Sequence, residues 1–119
     1  MQPANDFPRG CRLLLKRDFQ RLFSHGVKTS DRDFAMWHLR AEGAGQRLGV
    51  IVSKKALGCA VKRNRARRLI REVFRLHRRL IADGCEMIMC PRSDRNLGAC
   101  GDMEKAVLRI WKKAGIYAG

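Results

Sequence analysis

Hydrophobic positions along the chain recur with two different spacings, which predict helices in some segments and strands in others. Phe19, Leu22 and Phe23 lie at i, i+3 and i+4, the spacing of one helix face. Gly26 follows as a typical helix stop. A short amphipathic helix is therefore predicted from about Lys16.

From residue 27 to residue 53 the spacing becomes that of strands. We predict a short edge strand within 27–33, a second strand over 34–40 and a third over 47–53. Residues 42–46 are rich in glycine and have the composition of a hairpin loop. The second and third strands are therefore expected to be antiparallel neighbours.

The rest of the chain predicts a helix, a strand and a helix. The long helix runs over 61–83 and is closed by Gly84, and an apolar strand over 86–90 is ended by Pro91. The last helix has Asp102 as its N-cap and Gly115 as its stop. The order α-β-β-β-α-β-α predicts an α+β sandwich, a small sheet packed with helices. We interpret residues 1–119 as one domain with a lead-in over about 1–12 and a tail over 116–119.

The long predicted helix has two chemically different faces. The apolar face is expected to pack on the sheet, because leaving it in water would forfeit about 1.5–3 kcal/mol for each large side chain. Its members are Ala66, Leu69, Ile70, Val73, Phe74, His77, Leu80 and Ile81. The opposite face carries Arg63, Arg67, Arg68, Arg71, Arg75, Arg78 and Arg79. Arginines one turn apart repel each other, so this face favours contact with a polyanion.

Net charge supports the same interpretation. The chain has 26 lysines and arginines against 11 acidic residues, a formal charge of +15. Arginine predominates, and its planar guanidinium binds phosphate with two hydrogen bonds or stacks on a base, which favours nucleic acid over a membrane surface. Apolar runs are too short to span a bilayer and no secretory segment is recognisable, so a cytoplasmic location is expected.

Candidate catalytic and metal-binding groups are scattered. The 5 cysteines include no C-x-x-C pair, so free thiols are expected rather than a disulfide framework or a zinc site. His25, His38 and His77 share no ligand spacing, and His77 lies on the apolar helix face, as a core histidine would. Asp31 and Asp33 are interpreted as turn-forming residues. We therefore expect no catalytic residue and no metal bound by the protein itself.

The long helix also carries a recognisable motif. Its Arg63-Asn64-Arg65 string, followed by Arg67-Arg68 and Arg71-Glu72, resembles the signature of the bacterial ribonuclease P protein family. The resemblance extends to Arg47–Lys55, which is similar to the strand and basic turn before that helix, and to Asp18-Phe19 with Phe23 in the first helix. One departure is Cys90-Pro91-Arg92, where the family's last strand commonly continues and where Pro91 is expected to shorten it.

The resemblance implies a fold in which the long helix connects parallel strands by a left-handed crossover. It also implies two RNA-binding surfaces. Residues implied to face the catalytic RNA are Arg63, Asn64, Arg65, Arg67 and Arg68. Residues implied to line a cleft for the 5′ leader of precursor tRNA are Phe19, Phe23, Trp37, Arg67 and Arg71. Lys54 and Lys55 are added to the leader-binding set because they precede a helix N-terminus, which favours an anion.

By the same resemblance, the protein would bind the catalytic RNA and precursor tRNA as a monomer in a 1:1 ribonucleoprotein. The RNA subunit with its Mg²⁺ would hydrolyse the phosphodiester, and the protein would bind no cofactor itself. Two other classes stay open from the residues alone: a basic ribosomal or RNA-chaperone protein, and a free-standing protein nuclease.

Overall fold

A computed structural model describes residues 16–40, 45–98 and 100–119, the side chain of Cys100 excepted. In chain order the elements are α1 (Lys16–His25), β1 (Val27–Ser30), β2 (Phe34–Arg40), β3 (Arg47–Val50), α2 (Lys54–Leu57), α3 (Ala60–His77), a 3-10 turn (Arg78–Leu80), β4 (Cys85–Pro91) and α4 (Cys100–Ala114). This order confirms the predicted α+β class and adds the short helix α2, which contains Lys54 and Lys55 where a turn was expected. The predicted lead-in and most of the predicted hairpin loop lie outside the described residues.

The sheet has the order β1-β2-β4-β3. β2 pairs antiparallel with β1 and β4, whereas β3 pairs in parallel with β4. The predicted hairpin between β2 and β3 is therefore wrong, because β4 lies between them. Strand β4 is the most apolar strand, and the central position buries both of its faces. As the family resemblance implies, α3 connects two parallel strands.

The helices cover the two faces of the sheet unequally. On the face that we call inner, Phe34, Met36, Met87 and Met89 form one core with the apolar sides of α3 and α4. Alternate residues point to the other face, which we call outer, and there α1 packs on β2 and β4. Leu22 of α1 is fully buried. The sheet is thus a layer between α1 and the α3–α4 pair.

Helix α3 ends earlier than predicted. It stops at His77, and Ile81, expected within the helix, pairs instead with Tyr117 of the chain end. The side-chain amide of Gln46 donates to the carbonyls of Arg78 (2.8 Å) and Ile81 (3.0 Å), so carbonyls at the helix end gain partners without a further turn. Leu80, predicted on the apolar face, is 45% exposed as a consequence.

Other boundaries differ from prediction by a few residues. β3 ends at Val50 rather than at residue 53, although the Ile51 N–H still donates to the Met89 carbonyl of β4 at 3.0 Å. α4 begins at Cys100, so Asp102 lies inside its first turn rather than at the N-cap. β4 ends at Pro91, which pairs with Phe34, so the strand stops within one residue of the predicted end. Ile116, placed by the sequence in a tail, is buried in the core.

Gly26 and Gly115 follow helix ends as predicted, whereas the prediction that Gly84 closes the long helix is wrong, because α3 ends at His77. At Gly26 the backbone N–H donates to the Leu22 carbonyl at 2.9 Å, and an added Cβ would lie 2.5 Å from that same oxygen. No side chain fits there, so α1 turns directly into β1. Gly115 follows α4 with a φ of 77°, a conformation that other residues rarely adopt.

Candidate nucleic-acid interface

The basic face of α3 is built as the helical pattern predicts. Ala66, Leu69, Ile70, Val73 and Phe74 are buried against the sheet and α4. The side chains of the signature region therefore point away from the core. Asn64, Arg68 and Arg71 are exposed, and Arg63, Arg65 and Arg67 are half-buried.

Several of these side chains have partners on the protein. The Arg67 guanidinium donates to Asn64 Oδ1 at 3.0 Å, which aligns the two groups along the helix. Arg65 Nε donates to the Leu97 carbonyl at 2.6 Å, so this arginine also holds the loop that follows β4. Further along the helix, Arg75 pairs with Glu72. The partners of Arg65 and Arg67 named here are uncharged, so they do not neutralise the two guanidiniums, which can still pair with an anion outside the protein.

The N-terminus of α3 adds positive potential at one end of the sheet. Its N-cap residue, Cys59, makes no capping hydrogen bond through its side chain, and the first turn contains no acidic residue. The exposed Lys54 and Lys55 of α2 precede it. Uncapped amides and nearby cations together favour an anion such as phosphate.

An aromatic pair lies on the outer face. The rings of Phe23 and Trp37 meet edge to face, with centroids 4.8 Å apart and planes inclined by 78°. Lys28 Nζ lies 5.2 Å from the centre of the Trp37 ring. Phe23 is 43% exposed and Trp37 is half-buried, so the pair is reachable from solvent. Phe19, which the resemblance groups with Phe23 and Trp37, is half-buried on α1, the helix that also carries Phe23.

The strand register shows what surrounds this pair. Lys28, Trp37, Ile88 and Gly49 are successive partners across all four strands and so form one row on the outer face. Ile88 and Gly49 are buried, so the exposed part of this row is Lys28 and Trp37, beside the Phe23 ring. At the other end of the row β3 is an edge strand, and α3, which carries Arg67 and Arg71, packs against it.

Charged groups that the sequence analysis did not identify hold α1 on the sheet. Glu86, only 2% exposed, contacts the guanidinium of Arg21, and Arg47 Nε lies 3.7 Å from it. Asp18 forms ion pairs with the same two arginines: its Oδ1 lies 3.3 Å from Arg21 Nη2 and its Oδ2 lies 3.4 Å from Arg47 Nη1. A buried carboxylate is stable only when paired, so this quartet fixes where α1, and with it Phe23, stands.

Asp33 forms a second buried centre. It is 3% exposed and lies 3.1 Å from Arg109, 3.4 Å from Arg95 and 3.8 Å from Arg32. Asp33 lies in the predicted turn but its side chain pairs with arginines, whereas the Asp31 side chain shapes the turn: its Oδ1 accepts the N–H groups of Asp33 and Phe34. Many acidic residues lie near arginines in the sequence, so sequence proximity does not single out the Glu86 and Asp33 centres. Only the tertiary contacts identify them.

Burial and hydrogen bonds set the properties of three cysteines and of His77. Burial raises the pKa of the Cys85 thiol to about 12 and that of Cys90 to about 11. A backbone N–H of Lys62 lowers the pKa of the exposed Cys59. Cys59, Cys85 and Cys90 are free, and Cys11 and Cys100 lie outside the side chains described. His77 is half-buried between Glu104 and the Tyr117 hydroxyl, at 3.1 and 3.0 Å, as a core histidine would be.

The part of the chain that the structure describes has neither a cluster of metal ligands nor a membrane-spanning helix. No set of three or more His, Cys, Asp or Glu side chains in ranges 16–40, 45–98 and 100–119 is grouped to hold a metal ion. Over the same ranges, no helix has the length and apolar character needed to cross a membrane.

Comparison with known proteins agrees with this geometry. The sequence profile of the Ribonuclease P family matches residues 7–115. The ribonuclease P protein component of Dictyoglomus turgidum is 35% identical over 112 residues, which cover 92% of this chain and 93% of the relative. That of Thioalkalivibrio sulfidiphilus is 38% identical over 84 residues, or 71% of this chain and 70% of the relative. The chain belongs to the bacterial ribonuclease P protein family.

Solved structures of ribonuclease P proteins share the fold. The protein from Staphylococcus aureus superposes with a TM-score of 0.78 at 30% identity, covering 89% of this chain and 96% of that one. The protein from Thermotoga maritima gives 0.76 at 27% identity, covering 86% and 96%. Membership in the family implies partnership with the ribonuclease P RNA and precursor tRNA, and a part in tRNA 5′ processing.

Proposed function

We propose that this chain is the protein subunit of a bacterial ribonuclease P and binds two RNAs on two surfaces. The catalytic RNA contacts the basic side of α3, and the single-stranded 5′ leader of precursor tRNA lies across the aromatic pair on the outer face. The observation that carries the proposal is the separation of these surfaces. Arginines stand on the solvent side of a helix whose other side is buried, while an exposed aromatic pair lies on the opposite face of the sheet.

The residues on α3 suit a phosphate backbone. Arg63, Asn64, Arg65, Arg67 and Arg68 are spaced over about one and a half helical turns, and a guanidinium can donate two parallel hydrogen bonds to one phosphate. Arg68 is exposed and suits direct contact. Arg65 has a double role, because it also holds the Leu97 carbonyl. Binding at this surface should fall steeply with salt.

The outer face suits an unpaired strand. Bases of single-stranded RNA stack on aromatic rings with about 1–3 kcal/mol each, with little dependence on sequence. Trp37 and Phe23 provide the rings, and Lys28 provides a cation beside them. Four cations on α2 and α3 would contact the leader's phosphates: Lys54, Lys55, Arg67 and Arg71. Phe19 would contact the leader from α1.

The chemistry in this proposal belongs to the RNA subunit with bound Mg²⁺, which hydrolyses the phosphodiester. The protein holds the leader and reduces the repulsion between two polyanions. Its buried carboxylates Asp18, Asp33 and Glu86 are each within ion-pair distance of arginines, which suits structural roles. The protein acts in the cytoplasm as a monomer in a 1:1 ribonucleoprotein.

The test is cleavage of a precursor tRNA at low Mg²⁺ by a bacterial ribonuclease P RNA, with and without this protein. Stimulation that disappears when the leader is trimmed supports the proposal. Cleavage by the protein alone would support a protein nuclease. Binding to the RNA with no stimulation would instead support a ribosomal or RNA-chaperone role.

A further inference from the structure

A second group of cations lies outside the signature motif. The ends of β3 and β4, the β1–β2 turn and the N-termini of α2 and α3 all meet at one end of the sheet. Cations from three separate segments gather there around the β1–β2 turn. We call them the turn cluster: Arg32, Arg92, Arg95, Arg109 and Lys113.

Contacts of the turn cluster converge on a few acceptors. Arg32, Arg95 and Arg109 all point to the buried Asp33. Arg92 Nη1 donates to the Asp31 carbonyl at 3.2 Å. Lys113 Nζ donates to the Ser30 carbonyl at 2.6 Å. Asp31 and Asp33 are the carboxylates of the turn itself, so the cluster has a surplus of positive charge.

That surplus exceeds what a structural role requires. One arginine is sufficient to neutralise a single buried carboxylate, yet three approach Asp33. The side chains of Arg32, Arg95 and Arg109 remain 71%, 54% and 52% exposed. Like charges held together at a surface repel each other unless an anion lies over them.

The turn cluster is continuous with the basic face of α3. The loop after β4 joins them: its Asp94 lies 2.7 Å from Lys62, and its Leu97 carbonyl accepts from Arg65. Arg95 of the same loop reaches Asp33. Arg109 and Lys113 belong to α4, which packs with α3 on the inner face and not with the aromatic pair on the outer face.

We propose that the turn cluster is a second binding surface for the sugar-phosphate backbone of the catalytic RNA, which extends the α3 surface around the end of the sheet. The proposal rests on the proposed function, and the catalytic RNA is chosen over precursor tRNA because the cluster continues the α3 surface. It contacts backbone rather than bases, since its exposed groups are cations without an aromatic ring among them.

The test measures affinity for a bacterial ribonuclease P RNA at several salt concentrations with Arg32→Ser/Arg109→Ser, which leaves Arg95 beside Asp33. Two lost phosphate contacts should make the slope of log K against log salt shallower by about 1.4–1.8. The matched control is Arg17→Ser/Arg40→Ser, which removes two exposed cations that belong to neither proposed RNA surface nor the turn cluster and should leave the slope unchanged. If the double variant does not fold, Arg32→Ser alone should change the slope by about 0.7–0.9, since its side chain is mostly exposed.

Three outcomes are distinguishable. Equal slopes for the turn-cluster variant and the wild type, with a shallower slope for Arg68→Ala, would overturn this inference and leave the proposed function intact. A loss of affinity for precursor tRNA alone would also overturn it. Failure of the wild-type protein to bind the catalytic RNA would overturn the proposed function itself.

Discussion

Replacing Trp37 with alanine tests the outer face as a leader site. The side chain is half-buried; its ring centroid lies 4.8 Å from that of Phe23 and 5.2 Å from Lys28 Nζ. An aromatic pair contributes about 0.5–1.5 kcal/mol and an exposed cation–π contact about 0.5–1 kcal/mol. The free energy of unfolding should therefore fall by about 1–2.5 kcal/mol, which a stable domain tolerates.

The change in affinity for the leader is separate from this change in stability. Loss of one stacked base costs about 1–3 kcal/mol, or roughly 5-fold to 150-fold in affinity. The assay is fluorescence anisotropy with the protein bound to its catalytic RNA, titrated with precursor tRNA and with mature tRNA that lacks the leader. Only the affinity for precursor tRNA should fall, so the ratio of the two affinities reports the leader contact.

Two further variants separate stacking from stability. Trp37→Phe keeps a ring and should recover most of the affinity. Leu76→Ala removes a side chain that is 55% exposed on α3, and it should leave the ratio unchanged. If Trp37→Ala binds precursor tRNA as well as the wild type does, or loses affinity equally for mature tRNA, the outer face is not the leader site.

The remaining predictions concern charge, stability and thiols. If about five phosphates contact the protein, log K for RNA should fall with log salt at a slope near −3.5 for single strands or −4.5 for a duplex, and a salt-independent affinity would contradict the interface. Arg68→Ala should weaken binding of the catalytic RNA and spare an isolated leader, a cleaner test than a change at an arginine that also holds a loop; equal losses would mean that the surfaces are not separate. Glu86→Gln should lower the free energy of unfolding by about 1–2 kcal/mol in urea titrations, since its two arginine partners are partly exposed and screened; an unchanged midpoint would show that the quartet does not hold α1. In thiol labelling at pH 8 followed by peptide mapping, Cys59 should react before Cys85 and Cys90, because the pKa values of the latter two are raised by burial to about 12 and 11.

The raised thiol pKa values also predict the direction of a pH effect. A thiol with a folded pKa above its ordinary value of 9.0 stabilises the fold fully below pH 9. That contribution is lost as the pH rises from about 9 towards 12, because the unfolded chain then releases the proton and the folded chain retains it. Urea midpoints of the wild type should therefore decline above pH 9, and Cys85→Ala should reduce the decline. An equal decline in both would assign the effect to other groups.

Local features of this protein could be derived from the sequence. The apolar side of α3 from Ala66 to Phe74 and the arginine side opposite it depend only on the 3.6-residue period within one helix. The stop at Gly115 depends on a backbone conformation open to glycine, and the stop at Gly26 depends on the lack of space for a Cβ beside the Leu22 carbonyl. Each of these features is set by residues adjacent in the chain, so a single sequence contains the information.

Tertiary structure alone decided the strand order and the paired side chains. β4 lies between β2 and β3 because the most apolar strand gains most from burial on both faces, a competition among all strands that no local pattern records. α3 ends at His77 because Ile81 pairs with Tyr117, a residue 36 positions later in the chain. The contacts of Glu86 with Arg21 and of Asp33 with Arg109 likewise join residues far apart in sequence. Helix faces follow from the chain's own periodicity, whereas these long-range pairs exist only once burial has brought distant segments together.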